Sequence, residues 1–136
     1  MSKVSIAGIA HDGRNVLIAH RNPTGQMGGR WEFPGGKVDG DESDGEALTR
    51  EFREEFGIDV IPGQQVATAF FYHNGEKVDL HAYSIQVPHK GDETPYVLSE
   101  HTEYKWVDID SIEGLDFVDS DRLIYPSVRS FILNGD

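Results

Sequence analysis

Apolar residues alternate along some stretches of this chain and recur about every fourth position in others, which separates strands from helices. Val4 to Ala10 and Asn15 to His20 read as two strands joined at Asp12-Gly13, a dipeptide suited to a tight hairpin. Pro23 to Arg30 is a glycine-containing loop. Trp31 to Phe33 is short and extended, and it ends at Pro34-Gly35-Gly36, where missing side chains permit close backbone approach. A helix is predicted from Ser43 to Phe56, with Leu48, Phe52 and Phe56 as its core stripe and Gly57 at its C-cap. Val66 to His73 and Lys77 to Val87 form a second strand pair around Asn74-Gly75. After a loop from Pro88 to Pro95, Glu103 to Val107 reads as a strand and Asp108 to Ile112 as a helical turn. Ser120 or Asp121 can cap a last helix whose apolar side carries Ile124, Val128, Phe131 and Ile132. Strands mixed with two helices predict an α/β (α+β) fold, a sheet packed between helices.

Length and charge narrow the function more than the elements do. The 136 residues suit one domain, 1–136, with a proper core. No apolar run approaches the roughly 18 residues of a membrane helix, and no basic stretch followed by an apolar one suggests a signal peptide. The chain has no cysteine, which removes disulfides, thiolate metal sites and a Cys nucleophile and fits a cytoplasmic location. Net charge is −12. A field of that sign repels long nucleic acid and anionic membranes, so neither is expected as a partner. It would also repel a polyphosphate, unless divalent cations first neutralised the site.

The chemistry concentrates between Gly36 and Ile58, GKVDGDESDGEALTREFREEFGI. Glu51, Glu54 and Glu55 stand at i, i+3 and i+4, which on a helix is one face. Clustered carboxylates repel one another unless a cation compensates, and hard oxygen donors select Mg²⁺. An isolated E-x-x-E-E would read as a solvated acidic face. Here the three belong to a longer spacing, G-x5-E-x7-R-E-U-x-E-E-x-G-U with U apolar, and all seven fixed positions match. None of the histidines at 11, 20, 73, 81 and 89 shows a coherent metal spacing, and His101 reads as a solvated loop residue.

That spacing resembles the Nudix box, and the chain resembles the Nudix hydrolases. The resemblance implies an α/β/α sandwich with a mixed β-sheet between helices. It implies Mg²⁺ as cofactor, with Mn²⁺ able to substitute, held by Glu51, Glu54 and Glu55. In the family the carbonyl at the position of Gly35 can also reach a metal. By resemblance Arg50 pairs with box glutamates and holds Glu51, while Glu42 is mainly structural. Members need a further acidic residue outside the box. Glu100 and Glu103 both qualify, and Glu100, six residues before Trp106, matches the MutT-type position better.

WEFPGGKV, from Trp31 to Val38, and Arg21 eleven positions before Glu32 resemble the MutT and CTP-pyrophosphatase branch. There the matching arginine contacts substrate phosphate, and Lys37 would assist. Trp31 and Phe33 serve either as core or as a stacking surface for a base. Asp121 matches the position where relatives read the base: guanine readers carry Asn there, while cytidine-triphosphate relatives and some purine readers carry Asp. A plain helix N-cap competes equally for Asp121. LHAY at Leu80 to Tyr83 and Glu100-His101 lean toward the cytidine branch.

The activity implied is hydrolysis of a nucleoside triphosphate, 8-oxo-dGTP-like or cytidine-triphosphate-like, to monophosphate and pyrophosphate. Glu51 or Glu100 would be the general base, and nucleotide-pool sanitation a possible role. The alternatives are a Nudix pyrophosphatase of ADP-ribose or dinucleoside polyphosphates, and a non-catalytic nucleotide sensor. The partner expected is a small nucleotide, bound by a monomer or a homodimer.

Overall fold

Two N-terminal strands are apolar on both faces, and burying them takes two cores. In a computed structural model, which describes residues 3–21, 29–99 and 101–134, these are β1 (Lys3–Ile9) and β3 (Asn15–Arg21). The remaining strands are β2 (His11–Asp12), β4 (Trp31–Glu32), β5 (Gly35–Lys37), β6 (Ile61–His73), β7 (Glu76–Gln86) and β8 (His101–Asp108). Helix α1 spans Asp44–Phe56, a 3-10 helix spans Ile109–Gly114, and α2 spans Asp119–Asn134.

Alternation sends Ile6 of β1 and Leu17 and Ala19 of β3 toward Leu48, Phe52 and Phe56 of α1. Their neighbours Ala7, Ile9, Val16 and Ile18 go to the opposite face, against Ile124, Val128 and Ile132 of α2. Helices therefore flank the strands on both sides, the layering expected from the sequence. No helix among the described residues is long and apolar enough to cross a membrane.

The strands differ from expectation in how they pair. They fall into two four-stranded sheets, not one. The first runs β5-β1-β7-β6 and is mixed, because β1 and β7 are parallel while the other pairs are antiparallel. The second has β3 at its centre, with β2 and β4 along one side and β8 joined antiparallel to it. The Asp12-Gly13 hairpin is real but brief. Only His11 and Asp12 pair with Val16 and Asn15, and β1 then leaves for the other sheet. The Asn74-Gly75 hairpin is as predicted, with both residues at positive φ, 52° and 79°, as a type I′ turn requires. Its first strand begins at Ile61, five residues earlier than the periodicity suggested, because two irregularities of register between Pro62 and Ala67 blur the alternation.

Local chemistry fixes α1 at both ends. Ser43 accepts from the Glu46 amide and Glu46 accepts from the Ser43 amide, a reciprocal capping box that contributes about 1 kcal/mol. Gly57 ends the helix at φ 68°, and its amide donates to the Arg53 carbonyl. Two further backbone bonds hold this end to the chain before β8: Val97 N–H to Phe56 O at 3.3 Å and Ser99 N–H to Glu55 O at 3.2 Å.

Candidate active site

The segment from Trp31 to Lys37 crosses between the sheets. Its β4 end pairs with β3 and its β5 end pairs with β1, so seven residues tie the two halves of the site together. On the β5 side the packing is close enough to demand glycine. A Cβ on Gly36 would lie 2.3 Å from the Glu51 carboxyl carbon, and one on Gly35 would lie 1.9 Å from the Ile6 carbonyl oxygen. The Glu51 carboxylate thus occupies the notch left by a missing side chain.

Arg50 is the hub of this side. Its Nε and Nη2 grip the two oxygens of Glu42 at 2.7 and 3.0 Å, a bidentate pair. Nη1 donates to Glu51 Oε1 at 2.9 Å and to Glu54 Oε2 at 3.3 Å, and Nη2 also donates to the Lys37 carbonyl at 2.9 Å. Glu42 first, then Glu51, keeps the guanidinium firmly charged. Burial lifts the Glu51 carboxyl above its ordinary range, against the opposing pull of Arg50. Glu54 is 60% exposed, whereas Glu55 is buried. The Lys37 side chain is exposed at the end of β5. Among the described residues no three carboxylate or imidazole groups converge into a preformed ion cage, since Glu51 and Glu54 lean on Arg50 instead. The donor set still fits Mg²⁺. It is all hard oxygen, and the Gly36 notch aligns one carboxylate beside the exposed one.

Of the two acidic candidates beyond the box, Glu100 lies outside the described residues. Glu103 is exposed on β8. Tyr104 and Trp106 pack with the α1 core, while Val107 packs with the α2 core. Alternation therefore turns Glu103 away from the glutamate helix.

The β4 side holds a second polar cluster. Arg21 Nη1 donates to Glu32 Oε1 at 3.0 Å, and His101 Nε2 lies 2.7 Å from Glu32 Oε2. Beside them Asp121 Oδ2 accepts from the Phe33 amide at 2.9 Å. Three expectations change here. Phe33 is buried edge-to-face against Phe117, 5.0 Å between ring centres, so it is core and offers no open face to a base. Asp121 is not the helix cap, because α2 starts two residues earlier at Asp119 and the carboxylate turns inward to Phe33. His101 is a buried strand residue and not a solvated loop one. The sequence hid this because the alternation breaks just after it, at Thr102. Glu32 was equally missed as a site residue. Its one signal was a carboxylate inside an otherwise apolar WEF.

Burial first, then the negative charge of Glu32, raises the Asp121 carboxyl well above its usual value; the Phe33 amide and Arg21 pull the other way. A carboxyl raised on folding contributes stability while it stays protonated. That contribution is lost as pH climbs from the ordinary carboxylate range through the raised value. Asp121→Asn keeps an oxygen for the Phe33 amide and cannot ionise. Its melting temperature is expected to gain on the parent's as pH rises through that window. Thermal melts across a pH series check this, and two curves that stay parallel would refute it.

Comparison with known proteins adds the context of the site. The NUDIX domain model matches residues 1–128. A CTP pyrophosphohydrolase of Escherichia coli is 42% identical over 85 residues, which is 62% of this chain and 62% of that protein. An 8-oxo-dGTP diphosphatase of Proteus vulgaris is 56% identical over 46 residues, 34% of this chain and 41% of its own length. The matched stretch thus spans less than two thirds of either relative. The crystal structure of a MutT protein from Methanosarcina mazei superposes with a TM-score of 0.79 at 27% identity, over 99% of this chain and 96% of that one.

Proposed function

This chain belongs to the Nudix family, and from that premise we propose that it hydrolyses a nucleoside triphosphate to nucleoside monophosphate and pyrophosphate with Mg²⁺. The observation that carries the proposal is the Arg50 hub, which holds Glu51 and Glu54 on one helix face, with the Glu51 carboxylate set into the Gly36 notch. A merely solvated acidic face would have no reason to press a carboxylate into a notch that only glycine leaves open.

Glu51, Glu54, Glu55 and Glu100, with the Gly35 carbonyl, would hold the metal. When bound, Mg²⁺ offsets phosphate charge and acidifies a nearby water. The chain's own residues do the rest. Arg21 and Lys37 bind phosphate oxygens, which brings the chain of anhydrides across the segment from β4 to β5. Glu51 or Glu100 accepts the proton of the attacking water. Attack at the β-phosphorus forms a P–O bond to that water and breaks the bond to the oxygen that stays with the α-phosphate. No covalent enzyme intermediate is needed, so the absence of cysteine is unimportant to the reaction.

Asp121 stands, by resemblance, at the base-reading position, and to meet a base its buried carboxyl would have to turn from the Phe33 amide. As a carboxylate it accepts from an exocyclic amine, and in its protonated form it also donates. The relatives named for CTP and for 8-oxo-dGTP support these two substrate classes. The test is pyrophosphate release with Mg²⁺ across 8-oxo-dGTP, dGTP, CTP, dCTP, 5-methyl-dCTP, ADP-ribose and diadenosine tetraphosphate. One triphosphate is expected to exceed the rest by at least about tenfold in kcat/KM, a difference of about 1.4 kcal/mol. Turnover of ADP-ribose or the dinucleotide alone would overturn the triphosphate reading.

A further inference from the structure

Arg21, Glu32 and His101 come from three adjacent strands, and the innermost of them is the least explained. The His101 side chain is 2% exposed, although imidazole is costly to bury unless both its faces and its nitrogens are used. Its ring stacks on Phe56 at 5.5 Å and 20°. Phe56 follows Glu54 and Glu55 at the end of α1. Its Nε2 meets Glu32 Oε2 at 2.7 Å, while Nδ1 meets no partner among the described residues. A carboxylate can only accept, so Nε2 is the donor in this bond. Turning the ring over would give up that bond, and the stack on Phe56 holds it in place.

The backbone is shaped to put His101 there. Along β3 and β8, His20 pairs with Glu103, but Arg21 pairs with His101, so Thr102 is an extra residue. Regular alternation from Tyr104 and Trp106 would have sent Thr102 toward α1 and His101 away from it. The bulge reverses this, and bulges beside functional sites commonly re-aim a side chain in this way. Thr102 is occupied in turn, its Oγ1 lying 2.9 Å from His20 Nδ1.

We propose that His101 is a positioning residue for substrate binding: it fixes Glu32, which in turn aims Arg21 at the substrate phosphates. The Glu32 side chain is 13% exposed and divides its two oxygens between His101 and Arg21, leaving the Arg21 side chain 43% exposed at the end of β3. An exposed arginine held by one partner samples many rotamers, and ordering it in advance lowers the entropy lost on binding. Through Phe56 the same imidazole registers this cation against the glutamate helix. The inference rests on the phosphate-binding role proposed for Arg21.

The experiment is steady-state kinetics on Arg21→Ala, His101→Phe, His101→Gln and the double variant Arg21→Ala/His101→Phe, using the best triphosphate. Phe keeps the ring stack and removes the donor; the Gln amide nitrogen can take the place of Nε2. His101→Phe is expected to raise KM about tenfold with kcat changed less than about twofold, as fits loss of one hydrogen bond to a charged group. His101→Gln should recover most of that. In the Arg21→Ala background the His101→Phe change should have no further effect, because the residue it acts through is gone. Imidazole ¹⁵N spectra of the parent should show Nε2 protonated and hydrogen-bonded, and an Nε2 without a proton would count against the bond to Glu32. An Arg21→Ala protein with unchanged KM would remove the phosphate-binding reading itself. A raised KM in Arg21→Ala beside an unchanged one in His101→Phe, or additive effects in the double variant, would overturn the positioning role alone.

Discussion

Glu54→Gln is expected to fold as the parent does and to release pyrophosphate about a thousandfold more slowly. Stability should hardly register the change. The Glu54 carboxylate is 60% exposed and touches Arg50 at 3.3 Å, four residues earlier on the same helix. Pairs of that kind contribute about 0.3–0.5 kcal/mol. Activity should register it fully, because a ligand that helps hold the cation supports several kcal/mol of transition-state charge, and about 1.4 kcal/mol is a factor of ten. Rates and thermal melts measured on the same preparations separate the two. A variant within tenfold of the parent's rate would remove Glu54 from the metal set and with it the reading of the exposed face.

Alanine at Gly35 and at Gly36 should fail in different ways, although the positions are adjacent. At Gly35 the added methyl meets the Ile6 carbonyl at 1.9 Å, which is backbone and cannot swing aside. Strand β5 would have to part from β1, and the loss of stability should exceed the roughly 1–3 kcal/mol typical of overpacking. At Gly36 the methyl meets the Glu51 carboxylate at 2.3–2.6 Å, the far end of a side chain. Glu51 can move, so the fold should survive with a smaller loss. The displaced carboxylate then costs catalysis, on the order of a hundredfold for a shift near 1 Å. Denaturant midpoints and rates of pyrophosphate release make the comparison. If the two variants lose stability and rate in the same proportion, the Gly36 notch has no special tie to the site.

Some of this architecture could be read along the chain and some could not. Helix α1 was legible at both ends and along its face, since Ser43, Gly57 and the Leu48-Phe52-Phe56 stripe all act locally. The pairing of Arg50 with box glutamates was legible only through the resemblance, because Glu42 meets it by the path of the chain and not by helical spacing, and its bond to the Lys37 carbonyl was not legible at all. Partner choice among strands was not legible. Alternation in β1 and β3 shows two buried faces but not which edge meets which, so the division into two sheets stayed hidden. His101 escaped because one extra residue, Thr102, inverts the pattern that would have marked it as inward. For Phe33 the sequence leaves core and stacking surface open, and for Asp121 helix cap and base reader. In the folded chain they bond to each other through the Phe33 amide, a contact spanning 88 positions that no local pattern carries.

Arg50 has one more consequence, for what happens when the ion is withdrawn. Three clustered glutamates should strain a bare helix by mutual repulsion. Here an internal cation already sits among them, bound to Glu51 and Glu54 and anchored from behind by Glu42. Loading the proposed Mg²⁺ would then be an exchange of counter-ions on a finished helix, unlike the small metallo-domains whose folding waits for their ion. A chelator should silence this protein without unfolding it, and returning Mg²⁺ should restore it as fast as the ion can diffuse in.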